Sequence, residues 1–177
     1  MKTKILLLLT SIAILLACEV NKTTNEPITE SDLIGNWNLT SMTMEGGTIK
    51  TVSKQGDTIS RNCSINLKDT DMVFLCADNP KMVSVEGRLT SEITISHSTT
   101  TNIIDQIFDT NIDSISSLGW KLNTVNTITI ARQPELVFSI EGFFTNSLKL
   151  STQVNETRTI MGEAATIEGT LNIVLEK

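Results

Sequence analysis

The chain has 177 residues, a formal net charge of −6, and 40% apolar side chains of which few are aromatic. That length fits one domain with a sizeable core, and the acidic balance argues against nucleic acid or an anionic lipid surface as an electrostatic partner. Tyr is absent, and Thr, Ile, Val and Ser are abundant, which suits half-buried strands better than helices.

Lys2 and Lys4 precede an apolar run over residues 5–17, broken mildly by Thr10 and Ser11, and Cys18 follows Leu15-Leu16-Ala17. A spanning helix needs about 20 apolar residues, so this run has the length and flanks of a secretory signal. The order of basic, apolar and small residues and then cysteine resembles the signal peptide and lipobox of a bacterial lipoprotein. The resemblance implies cleavage of residues 1–17 and lipid on Cys18, with the more than one acyl chain that stable anchoring needs. It implies an exported protein of the cell envelope, with the outer membrane the favoured site. The remaining residues carry 12 Lys+Arg against 20 Asp+Glu, so lipid rather than charge would hold the protein to its membrane. Residues 18–31 are polar, contain one Pro and lack periodicity, as expected of a flexible tether. The folded domain is expected over residues 32–177.

The domain opens on Leu33-Ile34-Gly35-Asn36-Trp37-Asn38-Leu39. Trp37 is expected to plug one end of a barrel, with Leu39 beside it. Next come Cys63 and Cys76, flanking Leu67-Lys68-Asp69-Thr70-Asp71-Met72. A hairpin turning at Asp69-Thr70 would set Leu67 against Met72, Ile65 against Phe74 and Cys63 against Cys76, so the hydrophobic register itself pairs the thiols. Opposed strand residues lie ~4.5–5.5 Å apart, within disulfide reach, and an exported protein meets an oxidising compartment. A Cys63–Cys76 bond is therefore expected.

Residues 83–97 alternate over their whole length. Val83, Val85, Leu89, Ile93 and Ile95 take one face, and Ser84, Glu86, Arg88, Thr90, Glu92 and Thr94 the other. Gly87 sits on the apolar face, where a long strand can bend. Residues 100–118 read differently: Ile103, Ile104, Ile107 and Phe108 have helical spacing, so at most a short helix is expected near residues 102–117. Shorter alternating runs follow at residues 120–123, 127–131, 136–141 and 147–153, with turns expected at residues 124–126, 132–135 and 154–156. The last run places Ala165, Ile167, Leu171, Ile173 and Leu175 on one face, with Gly169 again inward. Strands at this spacing predict an all-β antiparallel sandwich or barrel, and the long ones favour a barrel.

Gly35-x-Trp37 at the opening of the first strand resembles the signature of the lipocalin superfamily. Ser84-Val85-Glu86-Gly87, Leu118-Gly119-Trp120-Lys121-Leu122 followed by Asn126-Thr127-Ile128-Thr129-Ile130, and Asn146-Ser147-Leu148-Lys149-Leu150 are similar to later strands of the lipocalin-like domains found in lipoproteins of Bacteroidetes-type bacteria. The resemblance implies an up-and-down barrel of eight or more strands with a small apolar ligand in its mouth. Two family features are missing. The last strand has no Arg to lie over the opening Trp, where only Lys177 offers a cation, and a Thr-Asp-Tyr motif is impossible without Tyr.

No catalytic or metal-binding pattern is evident. His97 is the single His and follows a Ser/Thr-rich strand, and no HxxxH, CxxC or Gly-rich phosphate loop occurs. Asp105, Asp109 and Asp113 recur at intervals of four, as an acidic patch would. The expected protein is thus a lipid-anchored barrel rather than an enzyme, without cofactor, binding a small hydrophobic molecule. Leu89, Trp120, Leu122, Phe138 and Ile140 are the candidate pocket residues. The alternative is a filled barrel that presents its surface or loops to a protein or glycan.

Overall fold

Period-two alternation becomes sheet over nearly the whole domain. The computed structural model describes residues 27–53, 55–96, 101–109, 118–124, 126–132, 134–160 and 163–177. Cys18 with the signal and most of the tether, His97, and residues 110–117 of the expected helix lie outside the described residues. A four-residue helix, α1 (Glu30–Leu33), precedes eleven strands: β1 (Gly35–Val52), β2 (Thr58–Thr70), β3 (Val73–Ala77), β4 (Met82–Glu86), β5 (Arg88–Ser96), β6 (Thr101–Asp109), β7 (Leu118–Asn123), β8 (Thr127–Ile130), β9 (Leu136–Phe144), β10 (Ser147–Ile160) and β11 (Glu163–Glu176).

Eight of these close a ring in the order β1-β3-β4-β7-β8-β9-β10-β11 and back to β1. The other three, β2, β5 and β6, extend the sheet from the second half of β1. Strand directions show how the two parts join. Both β2 and β3 run antiparallel to β1, so they share one direction and form a single strand bent at Asp71-Met72. β4 and β5 are likewise one strand bent at Gly87, because β4 opposes β3 and β5 opposes β2. β6 and β7 share a direction too, opposing β5 and β4. The described strands therefore make eight alternating passes around an antiparallel barrel.

The bends face one another. Asp71 donates its backbone N–H to the Arg88 carbonyl at 3.0 Å, and its carboxylate accepts the Arg88 N–H. Gly87 has φ +99°, a left-handed conformation, and a Cβ there would come within 2.5 Å of the Asp71 carbonyl oxygen. Only glycine fits this junction. On β1 the compensating irregularity is a bulge between Met44 and Gly47, with Gly46 at φ +66°.

The bends divide the interior in two. The proximal half, where the chain enters through α1, buries Leu33, Trp37, Leu39, Trp120, Phe138 and Leu148. The distal half buries Met44, Ile49, Cys63, Ile65, Ile93 and Ile167. Strands β1, β10 and β11 run through both halves, whereas β8 and β9 stop short, so the wall is lower on that side.

Three expectations need correction. Cys63 and Cys76 are free thiols. Cys63 pairs with Gly47 and Cys76 with Gly35, twelve residues apart on the same strand β1, which at the strand rise of ~3.3 Å per residue puts them far beyond the ~7 Å limit for a bridge. The register that suggested a hairpin has another origin: the inward face shifts from odd to even numbers across Asp71-Met72 because the strand is kinked there, not because it turns back. Second, Thr101–Asp109 form strand β6 rather than helix, paired with β5 from Ser96 to Arg88. The open edge of β5 offers a full ladder of backbone partners, which outweighs the side-chain spacing. Third, Val154-Asn155-Glu156 make no turn. β10 continues to Ile160, in unbroken register with β11.

Candidate ligand-binding site

At the proximal end the barrel is plugged. Trp37 is fully buried, and its indole N–H donates to the Leu33 carbonyl of α1 at 2.8 Å. Phe143 meets it edge-on at 6.4 Å between centroids. The Lys177 ammonium lies 4.5 Å from the centroid of the Trp37 ring and donates to the Asp32 carbonyl at 2.9 Å. A cation thus covers the opening Trp, supplied by a lysine. Trp120 donates to the Ala77 carbonyl at 2.9 Å, which fixes the second indole against the β3–β4 turn. Between the two indoles lies a small, partly open space of about 50 Å³ walled by apolar side chains and Cys76. It is the smaller of the two spaces described, and its lining offers no polar group to orient a ligand. Burial pushes the Cys76 thiol up to about 11 and raises that of Cys63, so both stay protonated and unreactive at neutral pH.

The distal half holds the larger cavity, about 230 Å³. Met42, Met44, Ile65, Ile93, Val154 and Ile167 are among its apolar walls. Phe138 and Ile173 line both spaces and separate them. Two polar side chains are built into the wall, Ser91 and Thr152. Both are buried, and the Thr152 hydroxyl donates to the Val137 carbonyl at 2.8 Å.

Among the described residues that line the cavity, the charged ones gather at one edge, where the short β8 and β9 leave the wall low. Arg132, from the β8–β9 loop, and Glu156 and Arg158, on β10, line this edge. Arg158 Nη2 donates to Glu156 Oε2 at 2.7 Å and Arg132 Nη2 to Oε1 at 3.1 Å. Arg158 Nε reaches the same Oε2 at 3.2 Å. Hydrogen bonding from Arg158, then the charges of both guanidiniums, holds the Glu156 carboxyl below the usual carboxylate range against the opposing effect of burial. The carboxylate is therefore ionised at neutral pH and lies between the two guanidiniums.

The five candidate pocket residues divide among these spaces. Leu89 and Phe138 line the distal cavity and Trp120 the proximal one, with Phe138 common to both. Leu122 and Ile140 line neither and pack half-buried against the proximal core. The rim triad was missed because Glu156 fell in an expected turn. Its signal was nevertheless present: Leu148, Leu150, Thr152, Val154, Glu156, Arg158 and Ile160 continue one alternating face, with two opposite charges where apolar residues would be routine. Among the described residues no group of three His, Cys, Asp or Glu side chains converges as a metal site would require.

Fold and site together define an antiparallel eight-stranded β-barrel, plugged at one end and hollow at the other. No protein-family model, curated protein or solved structure matches this chain.

Proposed function

We propose that the protein is a lipid-anchored, lipocalin-like binding protein of the bacterial cell envelope that takes a small hydrophobic molecule into its distal cavity. The observation that carries this reading is the cavity of about 230 Å³ walled by β1, β2, β5, β9, β10 and β11, apolar over most of its lining with Ser91, Thr152 and the Arg132–Glu156–Arg158 group as its polar points. Ligand sites have this constitution: apolar walls for affinity and a few placed polar groups for orientation. The volume accommodates about eight water-sized groups at ~30 Å³ each, which suits a medium-length hydrocarbon chain. The Gly35-x-Trp37 opening, and a cation over that Trp, support the lipocalin-like part of the reading. The anchor rests on the lipobox order ending at Cys18.

A solvatochromic apolar probe tests the binding. Saturable fluorescence is expected with the purified protein, and its loss in Ile93→Trp, whose larger ring would fill the cavity. Melting curves of the two proteins would show that the variant folds. If a broad panel of lipids gives no saturable binding to the wild type, the proposal is rejected. Incorporation of labelled palmitate during expression, abolished by Cys18→Ala, tests the anchor separately.

The alternative, a surface module for a protein or glycan, has weaker support. The exposed large apolar side chains Val52, Ile59, Leu75, Ile103 and Val137 lie on different strands, and only Val52 and Ile59 are near neighbours, at the β1–β2 tip.

A further inference from the structure

Resting on the reading of the distal cavity as a ligand site, we propose that the ligand carries an uncharged hydrogen-bonding group, a hydroxyl or a carbonyl, which pairs with the Ser91 hydroxyl inside the cavity.

Ser91 breaks a pattern. The inward face of β5 carries Leu89, Ser91, Ile93 and Ile95, all of them buried. Three are apolar, and the fourth is a hydroxyl that lines the cavity while its residue is only 2% exposed. The Ser91 hydroxyl has no hydrogen-bond partner among the described residues. The other polar side chains of the lining are engaged. Thr152 donates to the Val137 carbonyl, and Arg132 and Arg158 both donate to Glu156. A hydroxyl held away from water without a partner forfeits the hydrogen bonds that it makes in solvent. A ligand that brings a partner restores them.

The surroundings of Ser91 choose the partner's chemistry. Ser91 lies three residues past Arg88, where β5 begins, and its neighbours along the same face of the lining are Leu89 and Ile93. A charged group beside it would exchange its hydration for one neutral hydroxyl and apolar walls, which does not compensate the loss. A serine hydroxyl both donates and accepts, so an alcohol and a ketone both qualify. A bare hydrocarbon fills the space but leaves Ser91 unpaired, and a site built to hydrogen-bond a ligand discriminates against the analogue that lacks the group.

Three probes with the same chain separate the possibilities: 1-octanol, 1-chlorooctane and octanoate at pH 8, each competed against the solvatochromic probe on the purified protein. Ser91→Ala is expected to weaken 1-octanol about tenfold and to leave 1-chlorooctane within about twofold. Ser91→Thr, which keeps the hydroxyl, should hold 1-octanol within about threefold of wild type. Octanoate should bind less tightly than 1-octanol, and tighter binding overturns the uncharged group. Gln106 is the cross-strand partner of Ser91 on β6. Gln106→Leu should leave 1-octanol within about twofold, and a loss of about tenfold there assigns the contact to β6 and overturns Ser91. A measurement on wild type guards against misfolding of the variants: the infrared carbonyl stretch of bound 2-octanone should lie below its position in hexane. A stretch at the hexane position, or a Ser91→Ala variant that binds 1-octanol as wild type does, overturns the contact and leaves the cavity reading standing. Failure of every probe to bind overturns the cavity reading and this inference with it.

Discussion

The Lys177 ammonium stands 4.5 Å from the centroid of the Trp37 ring and closes the proximal end of the barrel by a cation–π contact. Its hydrogen bond to Asp32 ties that end to α1 as well. Lys177→Met should lower unfolding free energy by about 1 kcal/mol, and Trp37→Ala by about 3–5 kcal/mol. A double-mutant cycle between the two should return a coupling of about 0.5–1 kcal/mol. Urea unfolding of the four proteins measures it, and a coupling indistinguishable from zero would reduce the contact to mere proximity.

The two left-handed glycines flanking the barrel's bend should behave differently. Gly87→Ala meets both an unfavourable backbone conformation and the Asp71 carbonyl oxygen, and should cost more than about 2 kcal/mol. Gly46→Ala shares the left-handed φ but has open space around the added methyl, so about 1 kcal/mol is expected. Equal costs, read from melting or urea midpoints, would mean that backbone preference alone matters and the close approach to Asp71 does not.

Cys63 and Cys76 should react as two independent thiols. Alkylation of the native protein at pH 8 should be slow at both, because burial keeps them protonated, and rapid after unfolding. Non-reducing and reducing peptide maps should be identical. Cys63→Ala and Cys76→Ala should destabilise additively, since residues this far apart share no partners. A double variant no worse than either single one would indicate that the thiols act as a linked pair after all.

Glu156 gives the protein an acid-sensitive contribution. Its folded-state pKa lies below the ordinary value, so the carboxylate adds stability that is fully present above the unfolded-state pKa of ~4.3 and is lost as pH falls through the lower folded value. Wild type should exceed Glu156→Gln in stability by a constant margin from neutral pH down to about 5, and that margin should close below about pH 4. Chemical denaturation from pH 7 to pH 3 reads the difference. A margin that grows on acidification would reverse the assigned direction.

How much could be read in the residues depended on how each element meets its neighbours. The inward series Val83, Leu89, Ile93, Ile95 and the series Ala165, Ile167, Ile173, Leu175 were legible because one face is buried and the other wet. Trp37 was legible as a plug because an indole so near the first strand has few other places to go. The cysteine hairpin failed because a kinked strand and a hairpin produce the same switch of parity; only the identity of the third strand, β1, distinguishes them. β6 failed because its spacing is compatible with a helix, while the free edge of β5 decides the matter at long range. The rim escaped notice because Arg132 and Glu156 are 24 residues apart and meet only when β8 and β9 are short enough for their loop to lean on β10.

The plug and the cavity occupy opposite ends of the same barrel, and the chain enters at the plugged one, through residue 27 and α1. Anything to which the preceding segment is fastened therefore holds the barrel by its base. The segment before residue 27 leaves the mouth of the cavity unobstructed, and a load attached to it would sit on the far side of the plug from whatever enters the cavity.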